Sequence, residues 1–108
     1  MEGGCHCGAV RLSVPAAPKN VTECRCSICR RYGALWAYYQ VGDIVIAGET
    51  ETYVWGRRAI AFHRCGVCGC VVAWRPRGAY PECGINARML DGLDLDQIPR
   101  IVEDDASV

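Results

Sequence analysis

Lysine is nearly missing from this chain. Lys19 is one of twelve basic residues and the other eleven are arginines. Net charge is missing too, because those twelve are balanced by twelve acidic residues. A neutral chain makes no electrostatic case for binding nucleic acid or an anionic membrane. Long apolar runs are absent, and nothing approaches the roughly 20 residues of a membrane-spanning helix. The opening stretch MEGGCHCGAV lacks the basic-then-apolar layout of a secretory signal, so the expected compartment is the cytoplasm. Tandem repeats, low-complexity tracts and an interdomain linker are also lacking. At 108 residues the chain is expected to be one domain, residues 1–108, with a modest core. There are only two histidines, and no strong general base stands out.

Cysteine is abundant: nine in 108 residues, an odd number in a chain without an export signal. That combination favours metal binding over disulfides. Apart from the cysteines, the chain reads as short strands between turn signals. Expected strands are 9–14 (AVRLSV), 34–41, 43–48, 51–56, 59–64, 69–74 and 85–90, with Gly42 turning between the second and third. The segment 75–84 (RPRGAYPECG) reads as a loop, and 95–100 as a turn. Only SICRRYG, 27–33, suggests a helical turn, with Ser27 as N-cap and Gly33 as its stop. The fold class is therefore all-β with little helix. Trp36, Tyr38, Trp55, Phe62 and Trp74 are expected to be core or half-buried sheet residues. Asp91, Asp94, Asp96, Glu103, Asp104 and Asp105 are expected to form a solvated acidic tail.

Two cysteine pairs lie far apart, Cys5-x-Cys7 and Cys65-x2-Cys68. Tetrahedral zinc, with Zn–S of about 2.3 Å, holds its sulfurs roughly 3.8 Å apart. A C-x2-C turn meets that demand, with Gly66 and Gly69 supplying backbone freedom. On an extended chain the two side chains of C-x-C point to one face. Together the four cysteines make a structural site that clips the N-terminal strand to a hairpin near residue 67.

The stretch ECRCSICRRYG, 23–33, holds the other cluster: Cys24, Cys26 and Cys29. With Ser27 as N-cap, Cys29 falls in the first helical turn, where backbone N–H groups favour a thiolate. Three local ligands and an open position describe a catalytic zinc. The alternative is a closed second site completed by Cys70 or Cys83. Otherwise Cys70 reads as a small buried strand residue and Cys83 as an exposed loop thiol. Zinc with three thiolates is a weak Lewis acid, poorly suited to making hydroxide. A thiol, with a reference pKa of about 8.5, ionises more readily than water. The open position therefore suits a substrate thiol. Arg30 and Arg31 stand beside it as candidates to hold a carboxylate.

The segments GGCHCGAVR (3–11), CRCSICRRYG (24–33), AFHRCGVCGC (61–70) and INARMLDGLDL (85–95) occur here in order. In this the chain resembles the glutathione-dependent formaldehyde-activating enzyme family over nearly its whole length. The resemblance implies a β-tent fold and a structural zinc on Cys5, Cys7, Cys65 and Cys68. It also implies a catalytic zinc on Cys24, Cys26 and Cys29. The activity it implies is the joining of formaldehyde to glutathione, a carbon–sulfur lyase reaction. A zinc-stabilised binding module is the competing reading. It is separated from the enzyme by whether the second zinc has an open position. A thiol redox protein using Cys26 and Cys29 lacks the expected βαβ context. His63 reads as a packed strand residue before a proton carrier, and His6 as pointing away from the metal.

Overall fold

A computed structural model describes residues 1–104. Ten short strands follow one another along the chain. They are β1 (Glu2–Gly4), β2 (Arg11–Ser13), β3 (Val21–Cys24), β4 (Trp36–Gln40) and β5 (Val45–Ala47). After them come β6 (Thr50–Tyr53), β7 (Ile60–Cys65), β8 (Val71–Pro76), β9 (Glu82–Asn86) and β10 (Arg100–Glu103). One helix, α1 (Cys29–Tyr32), lies between β3 and β4. The all-β reading holds. No helix among the described residues is long and apolar enough to cross a membrane.

The strands form two sheets. β1, β2 and β5 make a three-stranded antiparallel sheet. The other seven run β10-β3-β4-β9-β8-β7-β6, antiparallel except where β10 lies parallel to β3. Side chains alternate across a strand, so each face of the larger sheet has its own occupants. Ala37 and Tyr39 on β4 and Ala73 on β8 face the main core, with Val10, Leu12, Val21, Leu35 and Ile85. Trp36 on β4, Phe62 on β7 and Trp74 on β8 belong to a smaller cluster with Cys26 and Cys29. Burying Trp36, 1% exposed, and Phe62, 3% exposed, contributes about 1.5–3 kcal/mol for a side chain of this kind. That cluster is what holds the triplet against the sheet.

The turn expected at Gly42 is present as a 3-10 turn at Val41–Asp43. β4 lies in the large sheet and β5 in the small one, so this turn carries the chain from one sheet to the other. Several other expectations are corrected. The segment read as a loop, 75–84, holds the last two residues of β8 and the first three of β9, whose last two residues lie in the expected strand 85–90; β9 is paired on both sides by β4 and β8. Residues 87–89, expected as strand, form a 3-10 turn after it. Glu103 is not a loose tail residue, because it pairs with Cys24 through the parallel β10–β3 ladder. Asp105 lies outside the described residues. Of the five aromatics, Tyr38 and Trp55 are exposed, at 39% and 37%.

Candidate metal centres

Cys5, Cys7, Cys65 and Cys68 meet at the ends of two hairpins. Cys5 and Cys7 sit in the turn between β1 and β2, where Cys5 N–H donates to Val10 O and Gly8 N–H to Cys5 O. The pair is therefore brought together by a turn and not by a bent extended strand. Gly8, at φ +84°, supplies a backbone conformation that other residues resist. Cys65 closes β7, and the turn to β8 is fastened by Cys65 N–H to Cys70 O and Gly69 N–H to Cys65 O. The four sulfurs lie within 4.8 Å of one another. Cys7 Sγ is 3.6 Å from both Cys5 Sγ and Cys65 Sγ, close to the roughly 3.8 Å edge of a zinc tetrathiolate.

The surroundings favour thiolates. Val10 N–H donates to Cys5 Sγ at 3.3 Å. Val67 and Cys68 N–H groups approach Cys65 Sγ at 3.4 and 3.5 Å. Cys68 is pulled down to about 5, by the backbone N–H groups of Cys70 and Cys7 before anything else. Its neighbour Cys7 is pushed up to about 11 even though Ala9 N–H favours its thiolate, because desolvation and the adjoining sulfurs outweigh that donor. Thiols this close cannot all ionise without a cation among them, and the donor set fits a divalent soft metal.

The triplet forms at the other face of the large sheet. Cys24 ends β3, Cys26 lies at a bend, and Cys29 opens α1, with all three sulfurs within 4.8 Å of one another. Gly33, at φ +66°, ends the helix as expected, while Ser27 does not begin it. The N-cap is Ile28, which makes no side-chain cap bond. The thiolate-favouring N–H groups therefore go to a different cysteine. Cys29 N–H donates to Cys26 Sγ at 3.4 Å. Burial pulls Cys26 upward, but that N–H and the sulfurs of Cys29 and Cys24 bring it below the ordinary thiol value. Burial dominates at Cys29 and pushes it up, against a bond from Trp36 Nε1 to its Sγ at 3.4 Å. Burial likewise raises Cys24.

No fourth cysteine, histidine or carboxylate among the described residues joins these three. Cys70 belongs to the first cluster's surroundings, near Cys68 and Cys5. Cys83, expected as an exposed loop thiol, is fully buried in β9, its thiol 3.5 Å from Tyr39 O. Neither closes the second set. His63 Nδ1 is 2.8 Å from Thr50 Oγ1, and His63 is one residue out of phase with Phe62, which faces the triplet. His6 is exposed.

Two cavities meet at the triplet. The first, of about 420 Å³, is lined by Cys24 and Cys29 together with three arginines, Arg25, Arg30 and Arg88, and two carboxylates, Glu23 and Asp104. Arg30 has no hydrogen-bonded or ion-paired side-chain partner among the described residues. Arg25 is paired with Glu23 at 3.0 Å, and Arg88 Nε donates to Gly33 O at 2.7 Å. Arg31 points elsewhere, its guanidinium on Ser27 O at 2.6 Å, in a shallow cleft with Tyr53 and Trp55. Arg25 and Arg88 were missed by sequence reasoning. Arg25 stands between two ligands, and that adjacency was an available signal. Arg88 is distant in sequence and is brought to the site by the turn after β9, where its N–H is held by Asn86 and its side chain by Gly33 O. The buried Asn86 accepts from Leu35 N–H and Arg88 N–H and donates to Val71 O, tying β9 to the strand ends around the triplet. The second cavity, of about 290 Å³, opens on Cys24, Cys26 and Cys29 and is walled mostly by aromatic rings.

Fold and sites together define a small β-sheet protein built on one closed and one open cluster of cysteine sulfurs with metal-ligand geometry. Residues 1–104 match the model of the glutathione-dependent formaldehyde-activating enzyme family, and the chain belongs to that family. A solved structure of a Rhodobacter sphaeroides protein superposes with a TM-score of 0.79 at 30% identity. The likeness covers 93% of this chain and 99% of that one. A protein of Halomonas elongata, provisionally named for glutathione-dependent formaldehyde activation, is 40% identical over 55 residues. That stretch is 50% of this chain and 32% of the Halomonas protein, so the chain spans about a third of that relative.

Proposed function

We propose that this protein joins a low-molecular-weight thiol, glutathione foremost, to a small aldehyde of the formaldehyde kind, and catalyses the reverse cleavage. One observation carries the reading: the three-sulfur cluster lacks a fourth protein ligand among the described residues, and two cavities open onto it. Cys24, Cys26 and Cys29 would hold a zinc ion, and Cys5, Cys7, Cys65 and Cys68 a second, structural one. A zinc at the triplet would favour the thiolate form of a thiol at neutral pH.

The chain's own groups supply the rest. Arg30, with no side-chain partner among the described residues, receives a carboxylate of the thiol, and Arg88 adds positive charge beside it, while Arg25 is offset by its ion pair with Glu23. Tyr38 lines the second cavity; its ring keeps 39% of its surface in solvent, but desolvation of the phenol on the cavity side, reinforced by Glu103, pushes it up to about 12. It stays protonated and stands as a hydroxyl donor for the aldehyde oxygen. In the addition the sulfur lone pair forms the C–S bond and the carbonyl π pair moves to oxygen. That oxygen takes up one proton, equal to the one the thiol released. Holding both reactants in one geometry supplies most of the rate. The expected compartment is the cytoplasm, where glutathione is kept reduced.

Cobalt substitution tests the reading. Titration with glutathione or 2-mercaptoethanol should add a sulfur-to-cobalt band and release one proton per site. Arg30→Ala should weaken glutathione about tenfold, from loss of a charge-assisted bond, and leave 2-mercaptoethanol nearly unchanged. A spectrum that shows four protein sulfurs at rest and ignores both thiols would replace the enzyme with a binding module.

A further inference from the structure

All three tryptophans of the chain and its only phenylalanine wall a single cavity. Trp36, Trp55, Trp74 and Phe62 are joined there by Tyr38, Ile28 and Ile60 complete the apolar surface, and Glu103 is the one charged residue of the lining. The floor is the open triplet, Cys24, Cys26 and Cys29. At about 290 Å³ the space is far larger than formaldehyde requires. Two heavy atoms occupy roughly the share of one or two waters, about 30–60 Å³, whereas an apolar cavity of about 150 Å³ holds benzene.

These rings are not simply core. Trp36 and Phe62 are buried, but Trp55 and Tyr38 keep more than a third of their surface in solvent. Apart from Trp55, which comes from the loop after β6, the rings of the wall hold one another in place. Tyr38 meets Trp74 edge to face, with centroids 6.1 Å apart at 61°. Phe62 is held by Tyr32 at 5.4 Å and by Trp36 at 6.2 Å. Trp74 lies flat across the backbone of its cross-strand partner Gly84, where a Cβ would overlap the indole nitrogen. A glycine at that register position lets the ring lie down as a wall. Exposed, preset aromatic surface beside an open ligand set is surface suited to an apolar group.

We propose that this cavity receives an aryl or similarly flat apolar group carried by the aldehyde, so that the protein's electrophiles extend beyond formaldehyde to aromatic aldehydes. The proposal rests on the thiol–aldehyde reading above. The carbonyl carbon then lies over the triplet, where the thiol sulfur is held, and the ring lies among Trp36, Trp55 and Trp74. The bonds exchanged are those already described: C–S forms, the carbonyl π pair goes to oxygen, and oxygen is protonated. The charged part of the thiol stays in the arginine cavity on the other side of Cys24 and Cys29.

Binding can be separated from chemistry with 4-fluorobenzyl alcohol, which has the ring and oxygen but no carbonyl. Fluorine NMR of the metal-loaded protein should show saturable binding at millimolar concentration or below. Trp55→Ala should weaken it about tenfold without changing the thermal midpoint, and Trp55→Phe should recover most of the affinity. With glutathione present, 4-fluorobenzaldehyde should give the protein-accelerated hemithioacetal, and Trp55→Ala should slow it more than it slows the reaction of formaldehyde. Absence of saturable binding by the alcohol, or equal binding by wild type and Trp55→Ala, overturns the proposal. If the alcohol binds as stated and the cobalt spectrum ignores thiols, the thiol reading fails while the aryl site stands.

Discussion

Loss of one thiol from the closed cluster should cost far more stability than loss of one from the open triplet. Cys7 and Cys65 are 58 positions apart, and their sulfurs are 3.6 Å apart. A tie across such a span removes about 4 kcal/mol of chain entropy from the unfolded state on the scale established for cross-links. The triplet spans only from Cys24 to Cys29, and the same relation gives about 2 kcal/mol for so short a loop. A domain of this size has about 5–15 kcal/mol in all. Cys65→Ser should therefore lower the thermal midpoint by about 15 °C or more, at about 4 °C for each kcal/mol, or leave no cooperative melt. Cys26→Ser should lower it by less than about 8 °C. Cys65 is itself buried, so Cys7→Ser, at an exposed position, separates the metal tie from core packing. It should behave like Cys65→Ser. Elemental analysis of the natively purified protein should find close to two zinc equivalents in the wild type and close to one in each variant that folds. Equal destabilisation by Cys7→Ser and Cys26→Ser would refute the division between a long-range tie and a local site.

Gly84→Ala should destabilise the domain by about 1–3 kcal/mol in urea unfolding, because its methyl group overlaps the Trp74 indole; unchanged stability and unchanged tryptophan fluorescence would contradict the flat wall. His63 is held below its usual pKa, by burial first and by the Arg75 charge second. Its unfolded form therefore binds a proton before its folded form does, and stability rises with pH across that interval. The contribution is present above the unfolded value of about 6.5 and is lost as pH falls toward the lowered folded value. His63→Gln should flatten the stability profile below about pH 6.5 relative to wild type, and an unchanged slope would show that His63 does not carry it.

The grouping of the cysteine sulfurs was legible in the residues because ligand spacing is local. C-x2-C and C-x-C-x2-C constrain their own sulfurs within a turn, so Cys65 with Cys68, and Cys24 with Cys26 and Cys29, could be grouped without knowing the fold. The pairing of Cys5 and Cys7 with Cys65 and Cys68 was also accessible, since two half-sites imply one whole. Strand existence followed from β-branched and aromatic runs. Where local chemistry and spatial context disagreed, the reading failed. Ser27 had the right chemistry for an N-cap, but the helix starts one residue later, so Cys26 receives the N–H expected at Cys29.

Other features were decided by partners distant in the chain. The stretch 82–84 holds a glycine and follows Pro81, and nothing local marks this first part of β9 as a strand. It is one because β4 and β8 offer backbone partners on both sides, and that burial also encloses Cys83. β10 becomes structured by lying parallel to β3, a pairing separated by most of the chain. The triplet's surroundings have the same origin. Arg88 reaches its cavity through the turn after β9, and the aromatic wall gathers rings from β4, β7, β8 and the loop after β6. Sequence spacing determined which sulfurs can share a metal, because a turn of a few residues has few geometries. Only the sheet decided what surrounds them, because strand order brings together side chains that no local spacing relates.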